Sequence, residues 1–283
     1  MKEFAFVNAP TLDSAVALLG ELGEKAYVVA GGTNVMVDIR VGKRNGRTLV
    51  NIRDIGALKG ISLQNDEMRV GALATLSQIA ASELLKEKAP CLYMAANVFA
   101  DPTTRNSATI AGNCAGASPA ADTAPSLLAL NAIAHIVSAK GERQLNMNEF
   151  FAGVNRTHLQ PGELITHFTF KPSKSGFIKL GIRNSMAISI VTAAAALELA
   201  GDVVTTCRVA LGSVAPTPVR AKSVEAALTG QRLTEELLAH AAERVREDIS
   251  PIDDVRATGA YRREVAPVCV KRAVKLAAYG ECR

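Results

Sequence analysis

A chain of 283 residues, 48% apolar and 21% charged, has the make-up of a folded globular protein of about two domains. Disorder, collagen-like repeats and coiled coils are excluded on that ground. The formal net charge of +5 is dispersed, and eight Phe, four Tyr and no Trp leave little for base stacking, so nucleic acid is not the expected partner. The longest apolar run, residues 188–200, is broken by Ser189, Thr192 and Glu198 and falls short of the roughly 20 residues a membrane span needs.

In chain order, Thr11 reads as the N-cap of a helix in which Leu12, Val16, Leu19 and Leu22 recur at helical spacing, ended by Gly23. Residues 26–30 read as a short buried strand, followed by the turn Gly31-Gly32-Thr33-Asn34. Strands are expected at 48–52 and 68–72, and helices at 76–85 and 91–99. After a segment rich in small residues, 105–122, come a helix to about Leu130 and a strand at 132–138. Turn formers at Pro172-Ser173-Lys174-Ser175-Gly176 mark the expected domain boundary. Beyond it, strands are predicted at 176–183, 188–199 and 205–214, then helices at 222–228, 234–249 and 261–279. The architecture is α+β with a helical C-terminal third.

Met1-Lys2-Glu3-Phe4 leads into mixed sequence with no signal-peptide core, and a cytoplasmic location is expected. The five cysteines, Cys91, Cys114, Cys207, Cys269 and Cys282, are widely spaced and form no C-x-x-C pair. The four histidines, His135, His158, His167 and His240, are scattered, so no metal site is expected.

Chemistry concentrates in two glycine-bearing bends. Gly31-Gly32-Thr33-Asn34 is either an ordinary strand-to-loop turn or an anion cradle of successive backbone N–H groups, with the Thr33 hydroxyl as a further donor. Neither G-x-G-x-x-G nor a Walker lysine is present. Thr109-Ile110-Ala111-Gly112-Asn113 repeats the composition; two such bends on separate strands could grip a diphosphate from both sides, unless Asn113 merely turns the backbone. Ser118-Pro119 reads as a helix start, with Asp122 in the first turn. Asp122 then serves either the helix dipole or the hydroxyls of a ligand such as a ribityl chain. Lys179, alternating with Phe177, is either a solvated lysine or a cation for the N1–C2=O edge of a flavin.

Together these pieces resemble the FAD-binding subunits of molybdenum hydroxylases, of the xanthine dehydrogenase and aerobic carbon monoxide dehydrogenase type. The resemblance spans about Met1 to Gly280. It is carried by residues 30–34 and 109–113, Arg105-Asn106 before the second bend, Ser118-Pro119-Ala120-Ala121-Asp122 after it, and residues 214–220. It implies a vanillyl-alcohol-oxidase-type FAD-binding domain at 1–172, in two subdomains of about 1–55 and 56–172. A small antiparallel-sheet-plus-helices domain would follow at 176–283. The cofactor-binding residues it implies are Val29, Ala30, Gly31, Gly32, Thr33, Asn34 and Val35 around the pyrophosphate, and Thr109, Gly112 and Asn113 beside phosphates and flavin. Phe99 would pack on the isoalloxazine, Asp122 and Ile165 would contact the ligand, and Lys179 would lie near the ring.

No iron–sulfur cysteine pattern and no molybdopterin signature occur in the chain. The resemblance therefore implies a small iron–sulfur subunit and a large molybdenum subunit, with a dimer of heterotrimers among the assemblies it allows. Electrons would pass through the clusters to FAD and on to NAD or another acceptor. Cys114 is expected to pack rather than to ligate or attach flavin. Two departures stand out: Ala111 replaces the first glycine of the relatives' T-x-G-G-N, and Asn34 replaces an aspartate. The alternatives are a free-standing FAD oxidoreductase of the same fold, and a scaffold that has lost FAD.

Overall fold

The computed structural model describes residues 4–43 and 46–281; Met1 to Glu3 and Cys282 lie outside the described residues. The first unit is a three-stranded parallel sheet ordered β1 (Phe6–Asn8), β3 (Thr48–Asn51), β2 (Ala26–Val29). Helix α1 (Leu12–Leu22) starts at Thr11, whose side chain accepts from the Ser14 N–H in a reciprocal capping box. Its Ala15 and Leu19 pack on Val50, Ile52 and Ile55, while α2 (Val35–Arg40) sets Val35 and Ile39 against Val29 and Leu49.

The second unit is an antiparallel five-stranded sheet of β4 (Ile61–Gln64), β5 (Glu67–Gly71), β10 (Leu164–Phe170), β6 (Ile133–Ser138) and β7 (Gly141–Asn146), in that order. Met68, Val70, Ala134, Ile136, Phe168 and Phe170 pack in one core with the helices that connect β5 to β6. These are α3 (Leu76–Ala80), α4 (Glu83–Lys88), α5 (Pro90–Asn97), α6 (Pro102–Ser107), α7 (Ile110–Ala115) and α8 (Thr123–Ala129). A small hairpin, β8 (Phe151–Gly153) with β9 (Arg156–Thr157), precedes β10.

The C-terminal unit orders β11 (Lys174–Gly181), β12 (Ser189–Ala200), β13 (Val203–Gly212) and β14 (Val219–Arg220) into one antiparallel sheet, with α9 (Lys222–Leu228), α10 (Glu235–Glu243) and α11 (Gly259–Tyr279). The alanine run of β12 is buried on both sides. Ala193 and Ala195 join the core that holds α11, whereas Ala194 and Ala196 join the core of the central helices. That double burial explains why residues 193–197 are apolar without alternation in an antiparallel strand. The α+β class and the order of units match the expectation.

Four local expectations are corrected. Residues 76–85 form two helices, because Ser82 adopts an extended conformation and caps α4 by accepting from the Leu85 N–H. The helix expected over 234–249 ends at Glu243 and continues as a 3₁₀ turn. Ser118 and Pro119 do not begin a helix: Pro119 gives its carbonyl to the Ser213 N–H (2.8 Å), and α8 starts only at Thr123. In the strand expected to be buried at 26–30, Val29 is buried but Val28 is 36% exposed.

Candidate functional site

The first bend leaves β2 and enters α2. Gly32 has φ 74°, a left-handed conformation that glycine adopts without cost. The N–H groups of Gly32, Thr33, Asn34 and Val35 and the Thr33 hydroxyl have no partner among the described residues. The second bend is not on a strand. Thr109 caps α7 by accepting from the Gly112 N–H (3.1 Å), and Ile110 and Ala111 donate to the carbonyls of Ala74 and Ala72 (3.0 and 3.2 Å).

Glycine is what lets the bends meet. A Cβ on Gly31 would be driven into the backbone of Ser107, 2.5 Å from its carbonyl carbon, and one on Gly116 would stand 2.9 Å from Asn34 Nδ2. Between them lies a cavity of about 230 Å³ lined by Ala30 to Val35, Thr109, Gly112 and Ile165, with Val28, Ile52, Leu73 and Leu164 as apolar walls. Gly32 and Gly112 therefore face one space. Ala111 lines it too, with no positive φ, so its methyl sits there without backbone strain.

Asn34 also borders a larger cavity of about 570 Å³, lined by Phe99, Asn113, Asp122 and residues of the C-terminal unit. Four of its lining residues, Ala100, Asn155, Met186 and Ser213, hold φ between 37° and 64°. Such non-glycine strain persists where surrounding structure enforces it. Asn113 accepts from the Thr123 hydroxyl through Oδ1 (2.6 Å), leaving its amide donors.

Asp122 is buried, and its two oxygens are held from the C-terminal sheet. Lys179 Nζ donates to Oδ2 (2.7 Å) and to the Val98 carbonyl (3.1 Å), and Ser189 Oγ donates to Oδ1 (2.6 Å). Burial pushes the Asp122 carboxyl above its ordinary range, while Lys179 and Ser189 pull it back. The Lys179 side chain is only 8% exposed, which removes the reading of a solvated lysine. Two of the expected residues lie off both cavity walls: Val29, packed in the core beneath β2, and Lys179, which reaches the site through Asp122.

Sequence reading passed over Ser189 and the buried Arg262. The signal for the first is a hydroxyl interrupting an apolar strand; Arg262 stands next to Arg263, and nothing local in the sequence ties it to the site. Cys114 is buried and its thiol is pushed up to about 12, as a packing residue would be. Among the described residues no cluster of His, Cys, Asp and Glu could hold a metal ion, and no helix is long and apolar enough to cross a membrane.

The geometry agrees with the comparisons. Residues 2–170 match the FAD-binding domain of molybdopterin dehydrogenases, and residues 177–277 the C-terminal domain of carbon monoxide dehydrogenase flavoproteins. The chain belongs to the FAD-binding subunits of the molybdenum hydroxylase family. This flavin-dependent oxidoreductase subunit is 30% identical to a xanthine dehydrogenase FAD-binding subunit of Escherichia coli O157:H7, over 97% of the chain and 96% of the relative. It is 29% identical to the glyceraldehyde dehydrogenase medium chain of Sulfolobus acidocaldarius, over 96% and 98%. A chain of the Cu,Mo-CO dehydrogenase superposes with a TM-score of 0.92 at 29% identity, covering 98% of each.

Proposed function

We propose that the subunit holds FAD across the two adjoining cavities and relays electrons within a complex of three kinds of chain. A small iron–sulfur subunit would deliver electrons derived from substrate oxidised in a large molybdenum subunit, and NAD or another acceptor would remove them. The complex would be cytoplasmic, with a dimer of heterotrimers as its assembly. We place the FAD-binding domain at residues 1–172, its subdomains meeting near residue 55, and the C-terminal domain at 176–283. The observation that carries this reading is the shared cavity of the two bends in a chain of this family.

The cavities fit the cofactor chemically. The open N–H groups of residues 32–35 and the Thr33 hydroxyl supply donors for a diphosphate. Thr109 accepts from Gly112 and keeps its own hydroxyl proton to donate. The apolar walls Val28, Ile52, Leu73, Leu164 and Ile165 suit an aromatic base, and Phe99 offers a ring face in the larger cavity. Asn113 offers amide donors there, and Asp122 acceptor lone pairs for ribityl hydroxyls. Lys179 spends two of its three N–H bonds on Asp122 and Val98 and would act on the flavin through the charge it holds beside Asp122. Bound FAD supplies the redox chemistry; the chain positions it and sets its potential.

The purified chain should take up FAD and show bands near roughly 370 and 450 nm. Affinity capture should bring down an iron–sulfur and a molybdenum-containing chain. A preparation that stays colourless with added FAD would sink the reading, and turnover by the isolated chain would replace it with a free-standing oxidoreductase.

A further inference from the structure

We infer that Ser189 is a positioning residue for the cofactor: through Asp122 it fixes the orientation and charge of the carboxylate that the larger cavity presents. The inference rests on the proposed use of that cavity for FAD. Ser189 is fully buried and lines neither cavity, so it cannot touch a ligand directly. Its hydroxyl donates to Asp122 Oδ1 at 2.6 Å across 67 positions of sequence. Asp122 does line the cavity, and no backbone N–H is capped by its side chain at the start of α8. The carboxylate is therefore oriented from behind, by β11 and β12.

The strand that carries Ser189 is itself clamped. Arg262 of α11, 2% exposed, donates to the Ile190 carbonyl at 2.6 Å and to the Ser213 carbonyl at 2.9 Å, with Asp254 Oδ1 at 2.8 Å from its Nη2. The peptide carbonyl of the residue that follows Ser189 is thus held in place, and the Ser189 hydroxyl donates to the buried Asp122. Lys179 is the charged group that reaches Asp122 from β11. Asp101, Asp254, Arg256 and Arg262 lie on other walls of the cavity, and the contribution from β12 is the uncharged hydroxyl. Removing that donor leaves a buried carboxylate with Lys179 alone. The protonated form then gains, and a protonated acid presents a poorer acceptor to ribityl hydroxyls.

The test uses the full chain and two measurements as a function of pH: FAD affinity by flavin fluorescence, and the Asp122 carboxyl titration by ¹³C NMR without FAD. Ser189→Ala should weaken FAD about tenfold at neutral pH. It should also move both the acid limb of the affinity profile and the Asp122 titration to higher pH by about one unit. Ser189→Thr, which keeps the hydroxyl, should restore both, and Asp122→Asn should abolish the acid limb. Wild-type affinity and an unmoved Asp122 titration in Ser189→Ala, with Asp122→Asn still impaired, would overturn the role of Ser189 alone. Full FAD affinity in Asp122→Asn would instead overturn the proposed use of the cavity.

Discussion

The two bends share a composition, yet they differ in what their backbones have left to give. At the first bend the chain turns through a left-handed glycine, Gly32, and the four successive N–H groups of residues 32–35 have no partner among the described residues. In residues 109–113 every N–H from Ile110 to Asn113 is already donated, to Ala74, Ala72, the Thr109 hydroxyl and the Thr109 carbonyl. The first bend is a donor surface; the second is a capped helical turn that closes the far side. Small residues mark where two backbones approach, and only the local hydrogen bonds decide which of the two can bind an anion.

That asymmetry is broken most severely by Gly31→Ala, because the new Cβ meets the backbone of Ser107, which cannot rotate aside. A loss of about 3 kcal/mol is expected, read as a lower urea midpoint at unchanged slope, together with loss of FAD retention. Gly32→Ala has no such collision, since the nearest atom would be Met36 Cγ at 3.4 Å, but it forces an L-residue to φ 74°. A cost of about 1–2 kcal/mol is expected. Gly112→Ala should cost less, since its position is helical and the crowded atom, 2.9 Å away, is a side-chain hydroxyl. Equal losses at 32 and 112 would erase the contrast.

A sharper version exchanges stability for binding. Thr109→Val removes the cap of α7 and should cost about 1 kcal/mol. Thr33→Val should leave the urea midpoint where it is, because the Thr33 hydroxyl has no partner among the described residues, yet weaken FAD. If Thr33→Val destabilises the apoprotein as much as Thr109→Val does, the first bend is not an open cradle.

Much of this was legible in the sequence because it is local. The Thr11 cap, the strands at 48–52 and 132–138, and α9 follow from caps and apolar periodicity within a few residues. What could not be read was set at a distance. Ser118-Pro119 has the chemistry of a helix start, but the Pro119 carbonyl is claimed by Ser213 from β13. Lys179 reads as either a solvated lysine or a cation for a flavin edge until Asp122, 57 residues away, supplies a buried partner. The second bend was read in the image of the first, since composition does not reveal that Ala72 and Ala74 take its N–H groups.

The smallest expected effect concerns Ala111, where the resemblance implies a glycine. If that glycine served a positive φ, Ala111 would be strained, and Ala111→Gly would stabilise the chain. The residue instead lies within α7, with a non-positive φ and its N–H given to Ala72 at 3.2 Å. Ala111→Gly should therefore lose about 0.5–1 kcal/mol, the ordinary cost of glycine in a helix. Its methyl does line the cavity, so some gain in phosphate approach is allowed, but the donors lie on the opposite bend. FAD affinity should change by less than about threefold, under 1 kcal/mol. A tenfold gain on fluorescence titration would mean that the second bend approaches the phosphates as closely as the first, and the division of labour between them would fail.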